Sequence, residues 1–384
     1  MLVTADGEVF EGRSVGAVGT RTGEVVFNTS MTGYQEVLSD PSYAGQVVVM
    51  TSPHIGNYGV NAGDEQAHAP AARGLIMRSL SRRHSNWQAE GTIAEYLRSQ
   101  NVSALAELDT RRLTRYIRTR GAMPVAIGGD IDTRELAEIA AATPTMTGQD
   151  LVTTVTTSEP YRFEPQGVAS GRVVALDFGL KRDIGRRLAD RGLEVHVLPA
   201  GATTEDIMAL SPSGVFLSNG PGDPEPLTHQ IATVRSLLGN VPVFGICLGH
   251  QVLGLAMGAT TYKLAFGHHG GNHPVRRLRD GRVAITAQNH GFGVDLWSLS
   301  DGVAPLRNGL PGHDLLPEVV SGSFGEIRPT HQNLYDGTLE GMECPDSAAF
   351  SVQYHPEAAP GPRDAVGLFD DFLTLMDLDG ERAN

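Results

Sequence analysis

Apolar positions follow two rhythms along this chain, and the rhythm changes between residues 144 and 171. Before the change, short runs of β-forming residues sit beside turn signals. Leu2, Val3 and Thr4 are separated from Val9 and Phe10 by Asp6-Gly7, a pattern that predicts a hairpin. Residues 23–28 and 46–50 predict two more strands. Apolar residues at helical spacing predict helices at 92–97 and 109–118, each with a plausible N-cap at its start, and a third at about 133–142. The stretch 31–43 is crowded with turn formers and reads as an ordinary surface loop. The arginines at 111, 112, 115, 118 and 120 read as the solvated face of the second helix.

After residue 171, strands and helices alternate. Residues 173–178, 194–198, 215–218 and 241–244 are apolar or β-forming runs, with helical segments expected at 182–191, 204–210 and 225–238 between them. Strands that are largely apolar, each followed by a helix, predict an α/β fold whose C-terminal part is a doubly wound, mostly parallel sheet covered on both faces. Thr, Ser, Pro and Gly accumulate over 144–171, which reads as a linker between an N-terminal mixed α/β domain at 1–143 and a C-terminal domain at 172–380. A length of 384 residues agrees with two domains.

Chemistry concentrates where the second rhythm places strand ends, the usual position for ligands in such sheets. Gly245-Ile246-Cys247-Leu248-Gly249-His250-Gln251 joins an apolar strand to a helical segment. Cys247 on that turn, with a glycine on each side to relieve crowding, reads as a nucleophile elbow that holds the side chain out toward a substrate. The helix beginning there brings N–H groups and positive dipole to the sulfur, which favours a nucleophilic thiolate and offers donors to an oxyanion. The other cysteine, Cys344, has no such setting and reads as a small buried side chain. Two cysteines in so long a chain make no disulfide framework.

A thiol nucleophile needs a base and an orienter for that base. His355 and Glu357, two apart at the end of a predicted strand, would point the same way and suit those roles. Among 13 histidines, spacing alone does not select His355 over His250, His268, His269, His273 or His290. The run from Gly267 to His273 invites a zinc reading, but no cysteine or carboxylate joins it in sequence, so no metal is assigned and a Gly-rich loop stiffened by imidazole hydrogen bonds is expected. Gly220-Pro221-Gly222 lacks the lysine of a phosphate loop, and its N–H groups read as partners for an oxyanion or a substrate carbonyl. The net charge of −14, with no basic stripe, argues against nucleic-acid binding. No apolar run is long enough to span a bilayer and no leader is evident, so a cytoplasmic protein with no membrane partner is expected.

Taken together, Ser218 to Pro224, Gly245 to Gln251, Asn289-His290-Gly291-Phe292 and His355-Pro356-Glu357 resemble the class I, triad-type glutamine amidotransferases. Residues 28–36, 53–59 and 266–274 narrow the resemblance to the small chain of carbamoyl-phosphate synthetase, over nearly the whole length. The resemblance implies that Cys247 attacks the glutamine amide, that N–H groups of Leu248 and Gly222 hold the oxyanion, and that His355 and Glu357 complete the triad. It implies glutamine contacts at Ser42, Gly220, Gly222, Leu248, Gln251, Asn289, Gly291 and Phe292. It further implies no cofactor in this chain. The partner would be a large chain that uses ATP and magnesium to make carbamoyl phosphate, for arginine and pyrimidine synthesis, from bicarbonate and tunnelled ammonia. Between Phe292 and Asp336 the chain runs longer than the family usually does, and the extra length reads as a surface excursion. A stand-alone γ-glutamyl thiol hydrolase on the same sheet, an amidotransferase of another synthetase and a non-catalytic scaffold subunit are the competing readings.

Overall fold

The computed structural model describes residues 1–129, 131–300 and 316–378, together with the backbone of 306–307 and 310–311. The first domain is built on an eight-stranded sheet. Its middle strands, Arg21–Asn28, Gln46–Met50, Gly74–Ile76 and Ser103–Ala106, run parallel. The hairpin of Leu2–Thr4 and Val9–Phe10 forms one edge. Helices Ile93–Ser99, Thr110–Arg120 and Thr133–Ala142 form as their spacing predicts. Thr92 closes a capping box with Glu95, and Asp109 caps the second helix through the Arg112 N–H. On that second helix Leu113 and Ile117 are buried while the five arginines in and around it are exposed, so the solvated-face reading holds.

The stretch 31–43 is not a surface loop. It holds a helix, Tyr34–Ser39, and a 3₁₀ turn, Pro41–Tyr43, with Tyr34, Val37, Leu38 and Tyr43 buried in the core. Turn formers dominate its composition, but four large apolar side chains spaced along it outweigh them once there is a sheet to pack against. Asp40 caps the 3₁₀ turn by accepting from the Ser42 N–H at 2.9 Å.

In the second domain, Leu193–Pro199, Gly171–Asp177, Gly214–Leu217, Val243–Ile246 and Ala349–Val352 form a parallel run. The inner strands are mainly apolar on both faces because core side chains cover both sides, with Val174, Leu217 and Val243 in one cluster and Val173, Phe216 and Phe244 in the other, while Leu193–Pro199 carries Glu194 and His196 on one face. Beyond Ala349–Val352 the sheet continues antiparallel through Leu339–Cys344, Gly325–Asn333 and the long hairpin Thr260–Arg277 with Val283–Asp295. The parallel core is thus only half of the sheet.

Two expectations change here. Residues 325–333, placed in a surface excursion, form an internal strand of the sheet, and Val320–Gly322 pairs with it. The rest of that expected excursion, from 301 to 315, falls largely outside the described residues. The glycine- and histidine-rich run 267–273 is strand rather than loop, with register shifts between Lys263 and His268 and between Gly270 and His273 that re-aim its side chains. Within 144–171, Tyr161–Phe163 adds an edge strand to the second sheet and Val152 is fully buried.

Candidate active site

The elbow exists, and it is strained. Val243–Ile246 ends one residue before Cys247, whose φ of 55° and ψ of −105° no unstrained L-residue adopts, and Leu248–Met257 begins one residue after. The flanking glycines are dictated by contact. A Cβ on Gly249 would stand 2.2 Å from the Leu217 carbonyl oxygen, and one on Gly245 would stand 2.7 Å from the Gly249 oxygen. Cys247 is only 2 % exposed and faces a cleft.

That cleft is narrow and is lined by Cys247 with Ser42, Gly220, Gly222, Gln251, Asn289, Gly291 and Phe292. Seven of the eight positions expected to touch glutamine therefore surround the sulfur. The eighth, Leu248, is buried and supplies the first N–H of the elbow helix, a group with no acceptor inside the helix. Glu24, Gln46, Met146 and His290 also line the cleft and were not foreseen. Glu24 is held by Lys263, whose Nζ lies 2.8 and 2.7 Å from the two carboxylate oxygens.

His355 and Glu357 meet, though not on a strand. Ala349–Val352 stops three residues short of His355, and a turn closed by the Ala358 N–H on the His355 carbonyl brings the two side chains together. His355 Nδ1 donates to Glu357 Oε1 at 2.7 Å. The same oxygen lies 2.8 Å from Lys181 Nζ, which also donates to the Ala358 carbonyl at 2.6 Å. Burial alone would lower the basicity of His355, but the Glu357 charge and the Cys247 sulfur outweigh it and raise the imidazole pKa far above 6.5. Burial works against the Glu357 charge as well, and Lys181 and His355 overcome it, holding the carboxyl well below the usual range. His355 Nε2 makes no hydrogen bond, so sulfur and imidazole are neighbours rather than bonded partners. The other face of Cys247 is fixed by the Asn289 carbonyl, 3.5 Å from Sγ.

The first domain completes the site. Asn219 Nδ2 donates to Ser42 Oγ at 3.0 Å, and Asn289 Nδ2 donates to Asp40 Oδ2 at 3.0 Å. Asn289 Oδ1 is bonded in turn to His269 Nδ1 at 2.9 Å. A second small pocket adjoins this network, lined among others by Asp40, Lys181, Ala287, Asn289, His355 and Pro360. Lys181, Asp40 and Asn219 were missed as functional residues. Asp40 and Asn219 sit inside stretches already singled out for their composition, whereas nothing in the sequence marks Lys181.

The remaining candidates separate. His250 bonds Ser351 Oγ beneath the elbow helix, and Cys344 is buried with its sulfur on the Phe324 carbonyl. His268 is joined by carboxylates from a distant segment, Asp336 and Glu340, which the local sequence could not reveal.

A family model for the carbamoyl-phosphate synthase small chain, CPSase domain, matches residues 2–127, and one for class-I glutamine amidotransferases matches 174–315 and 317–375. The carbamoyl phosphate synthase small chain of Vibrio cholerae serotype O1 is 47 % identical over 393 residues, covering 98 % of this chain and 97 % of that one. That of Yersinia pseudotuberculosis is 47 % identical over 395 residues, covering 98 % and 95 %. That of Neisseria meningitidis serogroup B is 47 % identical over 390 residues, covering 98 % and 97 %. Among the described residues no helix is long and apolar enough to cross a membrane. With both halves matched and near-complete coverage of such relatives, the chain belongs to the carbamoyl-phosphate synthase small-chain family and carries a class-I glutamine amidotransferase domain.

Proposed function

We propose that this chain hydrolyses the side-chain amide of glutamine at Cys247 and passes the ammonia to a carbamoyl-phosphate synthase large chain. The observation that carries the reading is the buried line of Lys181, Glu357 and His355 beside Cys247, which itself lines a cleft that residues of both domains close. Cys247 Sγ forms a bond to the amide carbon, and the carbonyl oxygen gathers negative charge opposite the N–H groups of Leu248 and Gly222. His355 gives its proton to the amide nitrogen, the C–N bond breaks, and ammonia leaves a γ-glutamyl thioester on the sulfur. Water then attacks the thioester, gives its proton to His355, and the C–S bond breaks to release glutamate. Glu357 keeps the imidazole oriented and protonated, and Lys181 keeps Glu357 ionised.

Ammonia would travel to the large chain by an enclosed path. A dry path matters, because ammonia protonated in bulk water loses its lone pair. The large chain would combine ammonia with bicarbonate, using its own ATP and magnesium. The product would serve arginine and pyrimidine synthesis. The test is carbamoyl phosphate formation by the reconstituted two-chain complex with glutamine or with ammonium salt as nitrogen source. Cys247→Ser should abolish the glutamine-dependent rate and leave the ammonia-dependent rate intact. A glutamine-dependent rate that survives the substitution would refute the assignment.

A further inference from the structure

We propose that His268, His290 and Glu340 form a structural site for a divalent transition metal, with zinc as the ion their chemistry suits, in the antiparallel half of the second sheet. One potential ligand atom from each lies within 4.8 Å of the other two. The three residues come from the strands Thr260–Arg277, Val283–Asp295 and Leu339–Cys344, so only the folded sheet assembles them.

The hydrogen bonds around the three groups prepare them for an ion. His268 Nε2 donates to Asp336 Oδ2 at 2.8 Å, and its Nδ1 faces Glu340 Oε1 at 3.6 Å, an ion-pair distance too long for a hydrogen bond, so an ion binding there displaces a proton from that nitrogen. His290 Nδ1 donates to the Phe292 carbonyl at 2.7 Å, which leaves Nε2 unbonded. Both rings are only 6 % exposed, so water does not readily satisfy those two nitrogens. Metal-bound histidines show this division: the outer nitrogen donates to a carboxylate or carbonyl, and the inner lone pair is thereby fixed toward the ion. Glu340 is fully buried and is oriented in the same manner, accepting from Asn333 Nδ2 and from Gln288 Nε2, each at 2.8 Å.

Two imidazoles and one carboxylate are a familiar zinc donor set, with bonds of about 2.0–2.2 Å. A tetrahedral shell of that size separates neighbouring ligand atoms by about 3.3 Å, so the widest spacing here closes by about 1.5 Å on binding. Water would complete the shell. The ion would tie the strand that carries Asn289 to Phe292, which line the cleft, to Thr260–Arg277 and Leu339–Cys344.

The experiment uses the full chain carrying Cys247→Ser, so that the thiol cannot bind metal. After chelator treatment it is titrated with Co²⁺, a spectroscopic substitute for zinc. The expected result is one equivalent bound, with visible absorption of four-coordinate intensity, displacement by Zn²⁺ and a rise in melting temperature. Glu340→Gln and His290→Ala should each weaken binding at least about 10-fold, and Asp336→Asn, which removes only the support for His268, by about 10- to 100-fold. Circular dichroism checks that each variant folds. If the two ligand variants do not fold, Asp336→Asn decides, because that side chain is 40 % exposed and lies outside the packed core. Binding of less than one equivalent, or binding that none of these substitutions weakens, would overturn the site and leave His268 as a cation held by two carboxylates.

Discussion

Replacing Lys181 by Met removes one end of the buried charge line while leaving nucleophile and base in place. Lys181 is 2 % exposed and its Nζ lies 2.8 Å from Glu357 Oε1, itself fully buried. At an effective dielectric of about 20 the attraction over that distance is about 6 kcal/mol before desolvation is charged against it. Removing one partner of a buried pair costs about 3–5 kcal/mol where nothing else faces the charge left behind, and here His355 at 2.7 Å from the same oxygen offsets part of that cost. Glu357 would lose the largest influence that keeps its carboxyl acidic. The sign follows from linkage. A depressed carboxyl pKa stabilises the fold above its unfolded value, near 4.5, and that stability is lost as pH falls through the folded value, about 2. With Lys181→Met the folded value rises, so acid unfolding should begin at higher pH. An orienter displaced by about 1.4–2.7 kcal/mol corresponds to a loss of about 10- to 100-fold in the kcat for glutamine hydrolysis, with ammonia-dependent synthesis unchanged. The assays are steady-state glutaminase kinetics and thermal unfolding across pH 3–7. The double variant Lys181→Met with Glu357→Gln should lose less than the sum of the two single variants, because either change alone already breaks the pair. Additive losses in the double variant, or an unaltered acid transition in the single one, would refute the coupling.

Other outcomes follow from the same geometry. His355→Asn should match Cys247→Ser, abolishing glutamine-dependent synthesis alone in the complex, and Glu357→Ala should be milder because an orienter contributes less than a nucleophile. Gly249→Ala places a Cβ 2.2 Å from the Leu217 oxygen and should cost about 2–3 kcal/mol of stability by thermal melt, with glutaminase activity lost as the elbow deforms. Ser42→Ala deletes the acceptor of the 3.0 Å bond from Asn219, and a net loss of about 1 kcal/mol predicts a KM for glutamine raised about 5-fold with kcat nearly unchanged. A drop in kcat with constant KM would place Ser42 in the chemistry rather than in binding.

Much of this protein was legible locally. The elbow could be read because strand, glycine, cysteine, glycine and helix are consecutive, and the steric demand that fixes those glycines acts over a few residues. Helices at 93–99, 110–120 and 133–142 announced themselves through caps and spacing, which are also short-range properties. The parallel strands were visible because a segment buried on both faces must be apolar at every position. Residues 31–43 were misread for a related reason: helix or loop there is decided by what Tyr34, Val37 and Leu38 pack against, and that surface lies elsewhere in the chain.

By itself, then, the sequence determined the alternation of elements, the turn that carries the sulfur, and a family resemblance resting on separated motifs. Only the tertiary structure decided which histidine stands beside Cys247, that Lys181 sustains the Glu357 charge, that Asp40 and Ser42 cross from the first domain to hold Asn289 and Asn219, and that Glu340 reaches His268. Those contacts join residues tens to hundreds of positions apart. Hydrogen bonds and ion pairs depend on distance in space, and no spacing along the chain encodes that distance until the sheets bring the strands together.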